Sequence, residues 1–401
     1  MKRSLSRFSL LVVLLAAASA VGAQPLKRPT YGYTCLDKTK TQLRFPAGRA
    51  AQDAFYAKMD SMLLYGTRSV NLWHVGGSHV QADFFSHRMR SNLTELQPDN
   101  AATRGFLFPF ALAHTNWNHN YYIECTGQWD CGRNIDRGAD MDYDFGITGI
   151  AATTSDSTAT VSFSLNVGQQ PSWTFDSLRV MGYGSSDSCY AYVAYQSADS
   201  AMVRFHIPAG ETFTLTGLVP ESRTAGISYF SSGINGAAVP TWLRCVNLAE
   251  DLEVVRPDIV FFAIGVNDAA VPYGKFDSEA FKAGYRRIIA MVEAVSPGCA
   301  YVFITNNDTY YRQARKRPKT PNPNAKLVQK AFYELAEEYD GAVWDVFDFM
   351  GGMGSSMDWR DEGLMTNDLI HFTRTGYELL GDLLFNALID DWMGEKEKRE
   401  E

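Results

Sequence analysis

Long apolar runs are scarce in this 401-residue chain. Beyond its first 23 residues, no stretch reaches the roughly 20 apolar residues that a bilayer-spanning helix needs. Cysteine is sparse too: Cys35, Cys125, Cys131, Cys189, Cys245 and Cys299 are all there are. The spacing of Cys125 and Cys131 fits no zinc pattern, because no histidine or second cysteine pair stands near them at ligand distance. Positive charge is in deficit, with 37 Lys and Arg against 45 Asp and Glu and a net charge of −8. That argues against nucleic acid and against anionic membrane surfaces as partners. Internal repeats and low-complexity blocks are absent.

What is present is an ordinary globular balance, 46% hydrophobic and 20% charged. The length exceeds one ordinary compact domain and predicts a core with an insertion, or two domains. Residues 1–23 form a unit apart. Met1–Arg7 carries Lys2, Arg3 and Arg7, Phe8–Val21 is nearly all apolar, and Val21-Gly22-Ala23 suits cleavage before Gln24. This reads as a signal peptide and implies export, to the periplasm or beyond. Its removal takes the net charge from −8 to −11. An exported chain meets an oxidising compartment, where Cys125 and Cys131 are near enough in sequence to close a small loop around Trp129.

Two rhythms alternate along the mature chain. Ser69–Val75 is a short β-prone run ending at Gly76-Gly77-Ser78, and Gln81–Leu93 turns helical. Strand candidates at 226–230, 258–264, 300–305 and 342–346 alternate with helical stretches at 242–252, 276–295, 322–339 and 373–392. This pattern predicts a parallel sheet with helices on both faces. Between the first strand and the second, residues 105–225 lose the helical period. Short alternating runs such as Thr158–Val167, Met202–Ile207 and Thr212–Leu218, punctuated by turn residues, predict an inserted β-sandwich.

Open parallel sheets bind ligands beyond the carboxyl ends of their strands. Three short sites fall there. Ser78 follows the first strand, Gly236 the second, and Gly265-Val266-Asn267-Asp268 the third. A fourth site, Asp368-Leu369-Ile370-His371, precedes the last helix. A serine hydroxyl needs an adjacent base before it attacks. Of the seven histidines (74, 79, 87, 114, 119, 206 and 371), only His371 has an acid three residues ahead, a spacing that lets a carboxylate orient the ring. His74 and His79, beside the first site, suit structural or substrate-contact roles, and His206 suits a surface position. The two glycines before Ser78 would allow a sharp turn. Asn267 and the Gly236 N–H could donate to an oxyanion.

Together these blocks resemble the SGNH (GDSL-like) hydrolase family, over roughly residues 65–100 and 226–392. The resemblance implies a three-layer flavodoxin-like domain, in two pieces at 24–104 and 226–401. It assigns Ser78 as nucleophile, His371 as base and Asp368 as the orienting acid. Ser78 N–H, Gly236 N–H and the Asn267 amide would form the oxyanion hole, with no metal or organic cofactor. The usual first block reads Gly-Asp-Ser, whereas here Gly77 holds the Asp position; that Asp is not the triad acid. The stretches GGSHVQ (76–81), RGFLFP (104–109), GINGA (233–237) and DLIHFTRTGY (368–377) are similar to exported bacterial peptidoglycan O-acetylesterases. Those enzymes carry a carbohydrate-binding-like β module at the place of this insertion.

The expected function is therefore removal of O-acetyl groups from a cell-envelope or extracellular polysaccharide, peptidoglycan foremost. Aromatics of the insertion, Trp117, Tyr121, Tyr122 and Trp129, are candidates for stacking on sugars, or else belong to the sandwich core. A lipase, arylesterase or thioesterase would use the same groups, although no long apolar lid is present. A non-catalytic glycan-binding protein is favoured by Gly77 and opposed by the intact Ser, Asn and Asp-x-x-His. Because the triad and oxyanion donors lie outside 105–225, hydrolysis of a small ester should need nothing from the insertion.

Overall fold

The computed structural model describes residues 28–400 apart from 67, 97–102, 117, 119, 138–142, 168–170 and 313–317. The signal-peptide reading and Trp117 thus lie outside the described residues. The chain divides at Tyr31, and all that follows concerns the compact unit Gly32–Glu401.

In chain order the unit begins with β1 (Leu43–Arg44), α1 (Ala50–Tyr65), β2 (Val70–Gly76), α2 (Ser78–Gln81) and α3 (Phe84–Glu95). Eight strands follow: β3 (Tyr122–Thr126), β4 (Asp130–Arg133), β5 (Ile150–Thr154), β6 (Thr160–Ser164), β7 (Ser177–Gly184), β8 (Tyr190–Ser197), β9 (Ser200–His206) and β10 (Phe213–Glu221). The α/β rhythm then resumes with β11 (Ile227–Gly233), α4 (Val239–Trp242), α5 (Leu248–Val255), β12 (Ile259–Ala263), α6 (Ser278–Val295) and β13 (Ala300–Ile304). A minimal ribbon of β14 (Tyr310–Tyr311) and β15 (Thr320–Pro321) precedes α7 (Asn324–Glu338), β16 (Ala342–Trp344), α8 (Val346–Phe349), α9 (Ser356–Asp361) and α10 (Arg374–Glu400).

The central sheet runs β1-β16-β13-β12-β2-β11. β2 pairs in parallel with β11 on one side and β12 on the other, and the parallel pairing continues through β13 to β16. Taken by first appearance, the five parallel strands stand in the order second, first, third, fourth, fifth, the doubly wound flavodoxin-like order. The expectation of a purely parallel sheet needs correction. β1 adds an antiparallel edge through Leu43↔Trp344 and Arg44↔Val343. Two residues are too few to carry a readable strand period.

Burial explains the apolar runs. All of Ile259–Phe262 is buried, because helices cover both faces of a parallel sheet. α6 shows how the covering forms. Asp277 caps it by accepting the Ala280 N–H at 2.9 Å. Its Phe281, Tyr285, Ile288, Ile289 and Val292 recur at helical spacing and are buried against the sheet. Each such side chain contributes about 1.5–3 kcal/mol on burial.

The inserted strands form two four-stranded antiparallel sheets, β4-β5-β10-β7 and β3-β6-β9-β8. One apolar cluster draws Val161, Phe163, Val203 and Phe205 from the second sheet and Leu178, Phe213, Leu215 and Leu218 from the first. The other side of the first sheet contributes Ile150, Met181 and Val219 to the main core, beside Trp73, Phe230 and Trp242. The first sheet is therefore covered on both faces, which is why β10 is buried from Phe213 to Pro220. Cys125 and Cys131 fall on strands of different sheets, and all six cysteines are free thiols. The small disulfide loop considered from sequence is not formed.

Candidate active site

At the carboxyl edge, β2 and β12 bracket the point where the strand order reverses, and Ser78 and Asn267 follow them directly. Ser78 opens α2, where first-turn N–H groups have no intrahelical acceptor. The glycines ahead of it act by closeness rather than by an unusual turn. A Cβ on Gly76 would lie 2.4 Å from Val80 Cγ2, and one on Gly77 would lie 3.3 Å from Asn267 Nδ2. Gly77 has φ −98°, outside the left-handed region. Gly236 does need its freedom, with φ +84°.

Ser78 Oγ lies 2.9 Å from His371 Nε2, and His371 Nδ1 lies 2.7 Å from Asp368 Oδ2. The other carboxylate oxygen, Asp368 Oδ1, accepts three more bonds: from Thr366 Oγ1 at 2.6 Å, Ile370 N at 2.8 Å and His371 N at 2.9 Å. Leu369 between them takes φ +59°, a left-handed bend rare outside glycine, as the chain curls back over the carboxylate. Burial pushes the Asp368 carboxyl up, but bonds from His371, Thr366 and the two N–H groups outweigh it and hold it well below the usual range. It is thus a fixed anion beside the ring, which keeps the proton on Nδ1 and leaves Nε2 able to accept one from serine.

Ser78, Gly236, Asn267 and His371 line one open cavity of about 540 Å³. Asn267 Nδ2 donates to Ala237 O at 2.9 Å, which turns the amide toward the chain beside Gly236 and leaves its second N–H for another acceptor. Asp268 accepts the Val239 N–H at 3.1 Å and so pins the start of α4 beyond that turn. Burial pushes its carboxyl up to about 6.

The remaining candidates sit differently. His79 Nε2 donates to Asn307 Oδ1 at 3.0 Å and its Nδ1 accepts from the Tyr377 hydroxyl at 2.8 Å. The assignment follows because Asn307 Nδ2 already serves two carbonyls, Asp308 O and Ile370 O. Burial, with His371 nearby, pushes the His79 ring down to about 3. It is a neutral brace with both nitrogens engaged, so it is turned away from the substrate-contact role considered for it. His74 is wholly buried, bonded to Tyr229 at 2.8 Å, and likewise pushed down to about 3 by burial. His206 is exposed and stacks on Tyr190.

Trp129 is half-buried. It meets Phe205 edge-on at 5.4 Å, donates its indole N–H to Thr126 O and packs against both apolar clusters. Tyr121 is buried with its hydroxyl on Phe108 O, and Tyr122 is exposed. Conversely, the insertion is not remote from the site. Asn116 lines the cavity. Gln81 donates to Thr115 Oγ1 at 2.9 Å and Asn116 O at 3.0 Å, and its Oε1 accepts the Asn235 N–H at 2.5 Å. The peptide before Gly236 is thereby tied to the helix that carries Ser78. The insertion thus borders the catalytic cavity, although the triad and oxyanion candidates all lie outside 105–225.

Asn307 was legible in principle. Asn306-Asn307-Asp308 follows β13 just as Gly265-Val266-Asn267-Asp268 follows β12. Gln81 and Asn116 gave no such signal, because their partners are distant in sequence.

Residues 214–379 match the GDSL-like lipase/acylhydrolase family, a span holding Gly236, Asn267, Asp368 and His371 but not Ser78. A comparison with curated proteins finds no match. Among solved structures the chain is similar to a peptidoglycan O-acetylesterase, with TM-score 0.68 and 18% identity over 88% of this chain and 99% of that one. It is also similar to the acetyl xylan esterase AlAXEase, with TM-score 0.32 and 18% identity over 40% of this chain and 81% of that one. A lipase/acylhydrolase from Enterococcus faecalis gives TM-score 0.30 and 21% identity over 40% and 75%. Among the described residues, no helix is long and apolar enough to cross a membrane.

Proposed function

We propose that this chain, a GDSL-like hydrolase and hence an enzyme acting on ester bonds, removes O-linked acetyl groups from a cell-envelope or extracellular polysaccharide, peptidoglycan foremost. The observation that carries the proposal is the Ser78–His371–Asp368 relay, bonded at 2.9 and 2.7 Å, opening into a cavity that also holds Gly236 and Asn267. The fold shared with a peptidoglycan O-acetylesterase along nearly its whole length supports the choice of polymer. The N-terminal segment read as a signal peptide would place the enzyme outside the cytoplasm, where such polymers lie.

In this reading Ser78 Oγ attacks the ester carbonyl carbon while His371 Nε2 takes the hydroxyl proton. The carbonyl oxygen becomes an oxyanion that receives the Ser78 N–H, the Gly236 N–H and the second N–H of Asn267. The carbon–oxygen bond to the sugar breaks, and His371 passes its proton to the departing sugar oxygen. Water then attacks the acetyl-serine, giving His371 a proton as it does so. Acetate leaves, and the proton returns to Ser78. Asp368 remains ionised and orients the ring throughout.

A second reading, an esterase for longer acyl chains, draws on one feature. A cavity of about 310 Å³ lined by Val239, Pro240, Leu243, Val271, Phe276 and Phe281 shares Asn267 with the catalytic cavity. Acetate release from acetylated peptidoglycan and acetylated xylan, beside p-nitrophenyl esters of rising chain length, tests both readings. The proposal expects acetate from a polysaccharide and rates that fall beyond acetyl. Rates that rise toward longer chains, with no acetate from either polymer, would favour the second.

A further inference from the structure

The catalytic cavity does not end at Ser78. Ala82, one turn along, lines it and also lines a second cavity of about 250 Å³. The two are walled by the same elements. The insertion gives Asn116 to the first and Asn120 to the second. α10 gives Tyr377 to the first, and Arg374 and Glu378 to the second. Ala82 is thus the floor of a single trough, with the far wall built by His87, Ser91 and Glu95 of α3.

The base of the second cavity is rigid. Asp83, buried and left-handed at φ +54°, accepts from Arg104 Nη2 at 2.6 Å, from Arg90 Nη2 at 3.2 Å and from Asn120 Nδ2 at 2.6 Å. Both arginines are fully buried. Removing Asp83 would strand two buried guanidinium charges, so this network holds Asn120 and the Ala82 turn in place. The trough therefore has a fixed floor, and an exposed rim at Arg374 and Glu95.

We propose that this second cavity is an acceptor subsite for the sugar residue next to the one being deacetylated. The inference rests on the polysaccharide reading above and deepens it. The lining fits a neutral polyhydroxylated ligand. It mixes donors and acceptors: two guanidiniums (Arg88 and Arg374, the latter bonded to Glu378 at 2.8 Å), three carboxylates (Asp83, Glu95 and Glu378), an imidazole, a hydroxyl and an amide. A simple anion would meet Glu95 and Glu378, and an apolar chain would find few apolar walls. A ligand whose hydroxyls both donate and accept can meet groups of either kind there. The subsite begins at Ala82, one turn from Ser78, and it must lie near if the acetylated sugar and its neighbour belong to one chain.

The test compares acetate release from an O-acetylated tetrasaccharide, the matching O-acetylated monosaccharide and p-nitrophenyl acetate. The enzymes are the wild type, Arg374→Ala, and Glu95→Trp, which puts a bulky ring into the trough from an exposed position. The wild type should show kcat/KM at least tenfold higher on the tetrasaccharide than on the monosaccharide. Both variants should lose most of that preference through KM, while p-nitrophenyl acetate turnover stays within about twofold. A wild type that cleaves both saccharides equally well, or variants that keep the full preference, would overturn the subsite and leave the deacetylase reading intact. Hydrolysis of p-nitrophenyl acetate with no hydrolysis of either saccharide would overturn the polysaccharide reading, and the subsite with it.

Discussion

Replacing Asp368 with asparagine isolates what its charge does. The side chain keeps its shape, and its carbonyl oxygen can still accept from Thr366 Oγ1, Ile370 N and His371 N, as Asp368 Oδ1 does at 2.6–2.9 Å. These three donors fix the amide orientation and put the NH2 group where Oδ2 now meets His371 Nδ1 at 2.7 Å. Two N–H groups cannot face each other at that distance. The imidazole must move its proton to Nε2, the nitrogen that faces Ser78, and there it can no longer accept the serine proton. The expected loss in kcat is about 10³–10⁴-fold, or about 4–5.5 kcal/mol of transition-state stabilisation. Stability should fall only modestly, because the turn keeps the three bonds to Oδ1 while the bond from His371 Nδ1 and the favoured charge are lost. Steady-state kinetics on p-nitrophenyl acetate, with urea unfolding as a control for the fold, reads both. Asp368→Asn retaining more than a tenth of wild-type kcat with normal stability would refute the tautomer argument.

Two further outcomes follow from the same geometry. Asn267→Ala should lower turnover by about 10²–10³-fold, about 3–4 kcal/mol, mainly in kcat, since its free N–H meets charge present only in the transition state. A change confined to KM would make it a substrate-binding group instead. Asp268, pushed up to about 6 by burial, binds its proton more tightly folded than unfolded. Its ionisation therefore removes stability as pH rises from about 4 to above 6, by at most about 3 kcal/mol, and less to the extent that water reaches the group. Asp268→Asn should accordingly gain stability relative to wild type across that window, measured by urea unfolding at both ends. A difference that does not vary with pH would contradict this.

The parts of the site that were legible in sequence stand where an apolar strand stops and a polar residue begins. Ser78 after β2, Asn267 after β12 and the Asp368–His371 pair ahead of α10 each carry that contrast. The α/β alternation from residue 226 onward was legible because α6 and α7 keep their apolar positions at helical spacing. β1 was too short to show a period. Trp129 read equally well as a sugar platform or a core residue, since it lies in the turn between β3 and β4 and composition cannot tell whether a turn side chain folds back onto the core. The brace of His79 by Asn307, and the tie from Gln81 to Asn116 and Asn235, join residues far apart in sequence. Side-chain amides have no periodicity that would betray such bonds.

The most direct test of the central claim is to find the covalent intermediate. The protein is mixed with p-nitrophenyl acetate, quenched within the first turnover, digested and examined by mass spectrometry, in parallel with Ser78→Ala. A single acetyl group on the peptide containing Ser78, absent from the variant, whose ester hydrolysis falls by about 10⁴-fold or more, is the predicted result. Acetyl on another residue, or a Ser78→Ala protein that still hydrolyses the ester at a tenth of the wild-type rate, would contradict it.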